Sequence, residues 1–445
     1  MKKFLSGAVS VLLAFGLLPG CSSAPKHDMA PRQSLTGHDE EIIDYSKRMI
    51  EEGRRVFRYE TFDSEQFWGG QLQLHKAIAG EKNGGVGKGL SPNMALQLGL
   101  KVDTQYLPSV LLEAIKNTTI SLDNPDTTLA LLKANAVVGV TGFFDKKGRL
   151  ESVGIQCALC HSTVDNWFMQ GIGKRQDGWA NRDLDVGAIV ALAPNLQPFS
   201  DLLGVNIATV KKVLQSWGPG RYDAELDKDG KAFRPDGKPA ATLLPPAFGL
   251  AGVNLHTWTG FGSIPYWNAY VATTQMHGTG TFFDTRFNDR QRYPVAARAG
   301  TGNVRSVPDK VAMTQAPLHF YQLSIPAPKP PADSFDKEAA GRGEKLFNKQ
   351  ARCASCHVPP LFTEPGNNLH AANEIGIDDF QALRSPTGKY RTAPLAGLWT
   401  HQKGGFYHDG RFANLREVVD HYDDFLRLSL SDQQKQDLVE YLKSL

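Results

Sequence analysis

The sequence has little net charge, few cysteines and no apolar runs that would support a multi-span membrane protein. Its 445 residues include 49 basic and 46 acidic side chains, a formal charge of +3. A nucleic-acid-binding protein needs a clustered basic face, which this balance does not indicate. With 41% hydrophobic and 21% charged residues, the chain is typical of a globular protein and unlike disordered or collagen-like chains. Its length suits about two or three domains.

The five cysteines are scarce but informative, because each lies in a recognisable motif. The first, Cys21, ends a segment with two early lysines and an apolar run from Ala8 to Leu18, which is too short to span a bilayer. Leu18-Pro-Gly-Cys21 resembles the lipobox of bacterial lipoproteins, in which the signal is cut before the cysteine and the cysteine is acylated. A plain secretory signal with an incidental cysteine is the alternative interpretation.

The lipobox resemblance implies a lipoprotein signal peptide at residues 1–20, lipidation of Cys21 and a flexible tether over 21–39. Ser22, rather than an aspartate, follows the cysteine, and in the lipoprotein family this favours the outer membrane. The expected location is therefore the periplasm, with a lipid anchor to the membrane.

The other four cysteines form two C-x-x-C-H motifs, the attachment pattern of c-type haem. Two thiols three positions apart reach the two vinyl groups of one porphyrin, and the adjacent histidine lies under the iron. A redox-active C-x-x-C or a structural disulfide would have to occur twice, with a histidine in the same place each time. A zinc site needs four converging ligands. The motifs predict two covalently bound haem c groups, with these attachment and axial residues: Cys157, Cys160 and His161; Cys353, Cys356 and His357.

The second motif lies in a compact C-terminal unit, predicted to span 336–445 after a proline-rich linker at 326–335. A helix is expected from Asp336 to Phe347, with a small residue at Gly343, and a last helix over Ser431–Leu445 that opens with a capping box. This order around a C-x-x-C-H resembles the class I cytochrome c fold. The resemblance implies that the two terminal helices cross at a small residue beside the haem.

The first motif follows a predicted β-hairpin instead of a helix. Its strands are Val137–Phe144 and Leu150–Ile155. The nearest suitable helix is Glu40–Phe57, so residues 60–150 are interpreted as an insertion between this helix and its haem motif. Residues 165–325 are rich in glycine, proline and aromatic residues and are expected to be mostly irregular.

The predicted fold class is mainly α, with two cytochrome c-like haem domains. The N-terminal haem domain covers 40–325 and contains the large irregular insertion and the small hairpin. The C-terminal domain covers 336–445.

The sixth ligand of each iron decides whether the haem only carries electrons or can also react with a substrate. None of the seven methionines follows Met313, so the second haem lacks a methionine from its own domain. Its candidate ligands there are His370, His401, His408, His421 and Tyr422. Five side chains stay open as the distal ligand of the first haem, as does an open iron: Met169, His256, Met276, His277 and Met313.

Three C-terminal segments are similar to the bacterial di-haem cytochrome c peroxidase superfamily, which includes the methylamine-utilisation enzymes. They are Tyr390-Arg-Thr-Ala-Pro-Leu395, Gly405-Phe-Tyr-His-Asp-Gly-Arg411 and Leu415-Arg-Glu-Val-Val-Asp-His-Tyr422. In the methylamine-utilisation enzymes a tyrosine replaces the methionine ligand of the peroxidases.

The resemblance implies that Tyr422 is the distal ligand of the second haem, unless it only packs on the haem edge. His421 is the alternative ligand. His408 is expected to line the pocket, and Arg391 and Arg411 are candidates to pair with the haem propionates.

Electron transfer is the expected function, extended by the resemblance to a redox enzyme of the di-haem peroxidase type. Its partner would be a redox protein or a small oxidant such as peroxide. The alternative is a membrane-tethered electron-transfer cytochrome without a substrate. No catalytic acid or base is identifiable in the sequence, nor are the substrate or the oligomeric state.

Overall fold

The computed structural model describes residues 37–445. The predicted signal peptide, Cys21 and most of the predicted tether lie outside the described residues. Ser46–Leu445 form one compact unit, and the described residues before Ser46, at the start of the first helix, belong to a separate unit. Within the described range the regular structure is predominantly helical and the strands pair only in two-stranded sheets, which confirms the predicted mainly α class. No helix in this range is long and apolar enough to cross a membrane.

The α-helices are α1 His38–Tyr59, α2 Leu74–Ala79, α3 Pro92–Gln97, α4 Ser109–Lys116, α5 Pro125–Lys133, α6 Ala158–His161, α7 Val186–Ala191, α8 Gln197–Leu203, α9 Ile207–Ser216, α10 Leu226–Asp229, α11 Ile264–Tyr270, α12 Pro294–Ala299, α13 Lys310–Ser324, α14 Lys337–Asn348, α15 Phe380–Leu383, α16 Leu415–Leu426 and α17 Asp432–Lys443. The chain also forms π-helical turns at Gln66–Gln71 and Val271–Gln275. Short 3₁₀ turns are Glu81–Asn83, Thr285–Asn288, Cys353–Ser355, Ala372–Glu374 and Leu398–Thr400.

The strands are β1 Val102–Asp103, β2 Val140–Phe144, β3 Leu150–Ile155, β4 Ser162–Val164, β5 Ile172–Gly173, β6 Arg175–Asp177, β7 Arg221–Tyr222, β8 Thr242–Leu243, β9 Phe282–Phe283 and β10 Asn303–Val304. The pair β1–β5 is parallel, and the pairs β2–β3, β4–β6, β7–β8 and β9–β10 are antiparallel. The predicted hairpin is confirmed as β2–β3, in which Val140 faces Ile155. The first C-x-x-C-H motif therefore follows a strand, as predicted.

Helices α14 and α17 cross where the sequence places a glycine. A Cβ atom at Gly343 would overlap the carbonyl oxygen of Asp437, so only glycine allows this approach. One turn further along each helix, Phe347 meets Tyr441 edge to face with 5.2 Å between ring centroids. The capping box at Ser431 is present as predicted. The C-terminal helices and their crossing at a small residue are therefore confirmed.

The same crossing occurs a second time, between α1 and α13. A Cβ atom at Gly53 would overlap the carbonyl oxygen of Pro317. One turn further along, Phe57 meets Tyr321 edge to face at 5.6 Å. The two helix pairs therefore share one arrangement, glycine against backbone followed by phenylalanine against tyrosine.

The expectation that residues 165–325 are mostly irregular holds for the long connections of this region, but it missed the helices between them. This region holds helices α7–α13, most of them short and several bounded by glycine or proline. The 15-residue helix α13 contains Pro317, and proline in a helix interior is normally destabilising because it removes a hydrogen bond and clashes with the preceding turn. That proline obscured the helix in the sequence.

A glycine-to-alanine pair on α14 tests the crossing. We expect Gly343→Ala to lower the free energy of unfolding by about 3 kcal/mol, because the added Cβ overlaps backbone that cannot rotate away. Gly341→Ala on the same helix is the control. Nothing lies within 4 Å of a Cβ at that position, so alanine there should stabilise by about 0.5–1 kcal/mol. Chemical denaturation of both variants gives the difference, and equal effects would contradict the close approach.

Candidate functional site

One cavity of about 750 Å³ is lined by both C-x-x-C-H motifs. Most of its wall is apolar, contributed by the hairpin, by the segment around Pro245 and by helices α16 and α17. The four motif cysteines are free thiols on this wall. A large apolar space beside paired thiols suits a flat, mostly apolar ligand such as a porphyrin.

Each motif histidine is oriented by a backbone carbonyl. Nδ1 of His161 lies 3.2 Å from the carbonyl oxygen of Pro245, and Nδ1 of His357 lies 3.0 Å from that of Phe362. Because a carbonyl oxygen only accepts, Nδ1 carries the hydrogen in both rings and Nε2 keeps a free lone pair. A histidine that binds a metal through Nε2 has this arrangement.

Burial keeps these groups uncharged. It lowers the pKa of His161 to about 4, against the opposing hydrogen bond to Pro245, and it lowers the pKa of His357. Burial also raises the thiol pKa of Cys157, Cys160 and Cys353 to about 12. A redox-active C-x-x-C needs a lowered thiol pKa, so the alternative of a thiol–disulfide catalyst does not fit this site.

Tyr422 lies on the wall of the cavity, on α16. Burial raises the pKa of its hydroxyl, with the neighbouring thiols of Cys353 and Cys356 adding to the effect. Its sequence neighbour His421 is not on the wall, and its Nε2 donates to the carbonyl oxygen of Ile375 at 3.0 Å. The geometry therefore favours Tyr422 over His421 as the distal ligand, an assignment that stays a prediction.

Three other C-terminal histidines also line the cavity. Both nitrogens of His370 are occupied, by Glu364 at 2.6 Å and Glu374 at 3.2 Å, so its ring has no free lone pair for iron. His401 and His408 each have a buried Nε2 without a hydrogen-bond partner. His408 therefore lies where its predicted pocket-lining role requires.

Arg391 and Arg411 have different surroundings. Arg391 lines the cavity, donates from Nη1 to the carbonyl oxygen of Leu255 at 2.6 Å and has a buried Nε without a partner. Arg411 does not line the cavity, because its guanidinium binds the carboxylates of Asp409 and Asp378. The charge of Arg411 is already balanced by these carboxylates, so the structure favours Arg391 over Arg411 for the predicted propionate role.

Sequence reasoning missed a second unpaired cation, Arg182. It lines the cavity, and its Nη1 is buried without a hydrogen-bond partner. Burial lowers its pKa to about 10, helped by the nearby Arg221. Within residues 37–445, no carboxylate lies within 4 Å of Arg182 or Arg391. No local sequence pattern distinguishes Arg182, because its position on the cavity wall and its lack of a carboxylate partner both depend on the fold.

The unpaired arginines, the paired thiols and the oriented histidines fit haem c. Arg182 and Arg391 are half-buried, and each has one buried nitrogen without a hydrogen-bond partner. Such cations beside an apolar cavity favour anions, and haem brings two propionates on an otherwise apolar ring. The residues that would hold it are the two C-x-x-C-H motifs, Arg182 and Arg391.

For the first motif, the structure separates the five candidate distal ligands. Met169 and Met313 are exposed by 39% and 74% and do not line the cavity. His277 does not line it either, and its ring stacks on Phe67 with 3.5 Å between centroids. His256 and Met276 both line it.

Met276 is the candidate next to the first motif. It belongs to the same apolar cluster as Ala158, between the two motif cysteines, and Cys157 packs against that cluster. His256 lies among charged groups, because Arg391 and His319 both contribute to lowering its pKa.

Comparisons with known proteins give three matches. The cytochrome c family model matches residues 340–445. The methylamine utilization protein MauG of Methylorubrum extorquens is 28% identical over 153 residues, which cover 29% of this chain and 43% of that protein. A structure of hydrazine synthase from Kuenenia stuttgartiensis under xenon aligns with 48% of this chain and 76% of its own, at 21% identity and a TM-score of 0.30.

The match to MauG spans less than half the length of that relative. The family match covers the α14–α17 crossing and the second C-x-x-C-H motif. Residues 340–445 are therefore a cytochrome c domain, and this match supports covalently bound haem c and haem-based electron transfer in this part of the chain.

Proposed function

We propose that the protein is a di-haem c-type redox enzyme in which electrons pass between two haems and reduce a small oxidant of the peroxide class. The observation that carries the proposal is the repeated helix crossing. Gly53 and Gly343 each lie at the crossing of a helix pair. Each pair is associated with a C-x-x-C-H motif whose histidine is oriented by a backbone carbonyl. This repeat supports a second haem at the first motif.

The shared cavity supports electron transfer between the two sites. Both motifs line the same space of about 750 Å³, so two haems held there would lie close together. Haem iron supplies the one-electron chemistry when it is bound. The chain contributes neutral axial histidines, two half-buried arginines for the propionates and an apolar wall that excludes water.

A non-catalytic electron carrier is the second candidate, and Met276 is the observation that favours it. A methionine beside the first motif would complete the ligand set there, and an iron with two protein ligands has no position for an oxidant.

The experiment that distinguishes the enzyme from the carrier is the ferric EPR spectrum of the purified holoprotein before and after addition of peroxide. A high-spin signal that converts on addition favours the enzyme, whereas two unresponsive low-spin irons favour the carrier.

Tyr422→Phe tests the distal ligand of the second haem. The variant removes only the hydroxyl, so we expect the low-spin ferric signal of that haem to become high-spin, with haem content unchanged. Tyr390→Phe is the matched control, since Tyr390 also lines the cavity but its hydroxyl donates to the carbonyl oxygen of Asp378 at 2.9 Å. An unchanged spectrum in Tyr422→Phe would show that Tyr422 only packs beside the haem.

We also propose a periplasmic location, with a lipid anchor at Cys21 and the outer membrane as the target. The support is the sequence motif that ends at Cys21, with Ser22 after it. Covalent haem agrees with this location, because a diffusible cofactor would be lost from the periplasm. A redox protein there would supply the electrons.

A further inference from the structure

The carboxylate of Asp177, at the end of strand β6, joins three parts of the fold. Its Oδ1 accepts a hydrogen bond from the hydroxyl of Ser162 at 2.8 Å. Its Oδ2 accepts two, from Nε of Arg58 and from the hydroxyl of Tyr321, each at 2.5 Å. The three donors come from β4, α1 and α13. The side chain of Asp177 is only 5% exposed, so these protein groups, rather than bulk water, satisfy its oxygens.

On one side, this carboxylate holds the main chain of the first C-x-x-C-H motif. Ser162 directly follows His161 and is paired with Asp177 in the antiparallel sheet of β4 and β6. The next residue, Gly178, donates its backbone N–H to the carbonyl oxygen of His161 at 2.8 Å. The peptide group that follows His161 is therefore fixed at its oxygen by Gly178 and, through Ser162, by Asp177. The ring of His161 is oriented separately, through Nδ1 and the carbonyl oxygen of Pro245.

On the other side, the carboxylate holds both helices of the α1–α13 crossing. Arg58 follows Phe57 in the last turn of α1, and Tyr321 is the ring on α13 against which Phe57 packs. Both helices therefore donate to the same oxygen atom. Hydrogen bonds to an ionised carboxylate are short and strong, and a close-packed interior transmits displacements. A shift of either helix would move Asp177 and, with it, the main chain at His161.

The second crossing has no such carboxylate. Tyr441 packs on Phe347 as Tyr321 packs on Phe57. Within residues 37–445, however, no carboxylate accepts a hydrogen bond from the hydroxyl of Tyr441. A helix pair of this kind therefore closes without the hydrogen bond, although burying a carboxylate has a desolvation cost. What the buried carboxylate adds at the first crossing is the connection to the haem motif.

We propose that Asp177 is a positioning residue of the first haem site, which holds His161 in a fixed place relative to the α1–α13 crossing. The inference rests on the proposed function, because it requires a haem at the first motif. The groups behind an axial histidine set the orientation of its ring, and that orientation tunes the metal. Asp177 acts through the main chain of His161, whereas Pro245 acts through its ring.

Ferric EPR of the holoprotein tests the inference. The signal of the first haem is identified as the one that is lost when Cys157 and Cys160 are replaced by alanine. In Asp177→Ala we expect the g values of this signal to shift and its lines to broaden, because the axial ring is no longer held in one orientation. The signal of the second haem and the haem content should stay as in the wild type.

Asp284→Ala is the matched control for the loss of a buried carboxylate. Asp284 also accepts from a tyrosine and an arginine, Tyr266 and Arg286, each at 2.6 Å. These three residues belong to neither haem motif and to neither helix crossing. The control should therefore leave both haem signals unchanged. A shift of the first-haem signal as large as that in Asp177→Ala would overturn the inference, because a general loss of stability would then explain both.

Tyr321→Phe is a milder variant, which also serves if Asp177→Ala does not accumulate. It removes one donor to Asp177 and keeps the ring that packs on Phe57. We expect the g values of the first haem to shift, by less than in Asp177→Ala. Tyr441→Phe makes the same change in the second crossing, and it should leave the signal of the second haem unchanged.

The outcomes separate this inference from the proposed function. A first-haem signal that is identical in the wild type, Asp177→Ala and Tyr321→Phe, with two haems bound, overturns the inference and leaves the proposed function standing. A wild-type protein that carries a haem only at Cys353 and Cys356 overturns both.

Discussion

Replacing Cys353 and Cys356 by alanine is expected to remove one haem, about 616 Da of covalent mass, and replacing Cys157 and Cys160 is expected to remove the other. The reason is that the two thioether bonds form from the two thiols of a motif, and each motif offers its own pair of thiols on the cavity wall. The measurement is the intact mass of protein made in a host equipped for cytochrome maturation. The wild type should then carry about 1.2 kDa of porphyrin.

Loss of a haem would also remove the apolar body that the cavity is built around, so either double variant is expected to be much less stable. Peptide mapping of the wild type separates attachment from stability. After proteolysis, one haem mass should be found on the peptide with Cys157 and Cys160 and one on the peptide with Cys353 and Cys356. A bare first peptide would leave only the C-terminal cytochrome c domain and would contradict the di-haem proposal.

The residues that carry the attachment chemistry were predictable, because they depend on local spacing. A C-x-x-C-H motif needs no tertiary context to be recognised. The terminal helices α14 and α17 were predictable because an apolar stripe and a capping box are also local. The C-terminal domain was therefore visible in the sequence, together with its small crossing residue.

The second helix crossing could not be read from the sequence. The similarity between the two pairs reduces to a glycine and a phenylalanine on one helix and a tyrosine on the other. Their partners at the crossing differ, Pro317 in one pair and Asp437 in the other. Because the contact uses backbone atoms, the fold retains it while the side chains change.

Unpaired charge is the other feature that sequence reasoning could not supply. In the sequence, Arg182 looks like an ordinary charged residue, and most such residues are solvated or paired. In the fold it lies on the cavity wall without a carboxylate partner. Arg411 shows the converse, since it lies off the cavity wall and pairs with two carboxylates.

Arg384→Ala is expected to lower the free energy of unfolding by about 3–5 kcal/mol, the cost of breaking a buried ion pair from one side. Arg384 is 1% exposed and binds Asp223 and Asp229. It comes from the C-terminal half of the chain, whereas the two acids come from the region between the haem motifs. The arginine therefore connects the two parts of the compact unit, and its loss leaves carboxyl groups buried without a counter-ion.

Arg342→Ala is the control for this prediction, because Arg342 makes a similar two-pronged contact with Asp437 while its side chain is 51% exposed. Surface pairs of this kind contribute about 0–1 kcal/mol, so the control should unfold at nearly the wild-type denaturant concentration.

The pH dependence of the Arg384→Ala effect distinguishes an electrostatic loss from a packing loss. Without Arg384, the carboxyl group of Asp223 loses the cation that opposes its raised pKa. The folded state then holds its proton more tightly, and the destabilisation should be smaller near pH 5 than near pH 8. A loss that is independent of pH would mean that Arg384 acts through its packed volume and not through its charge.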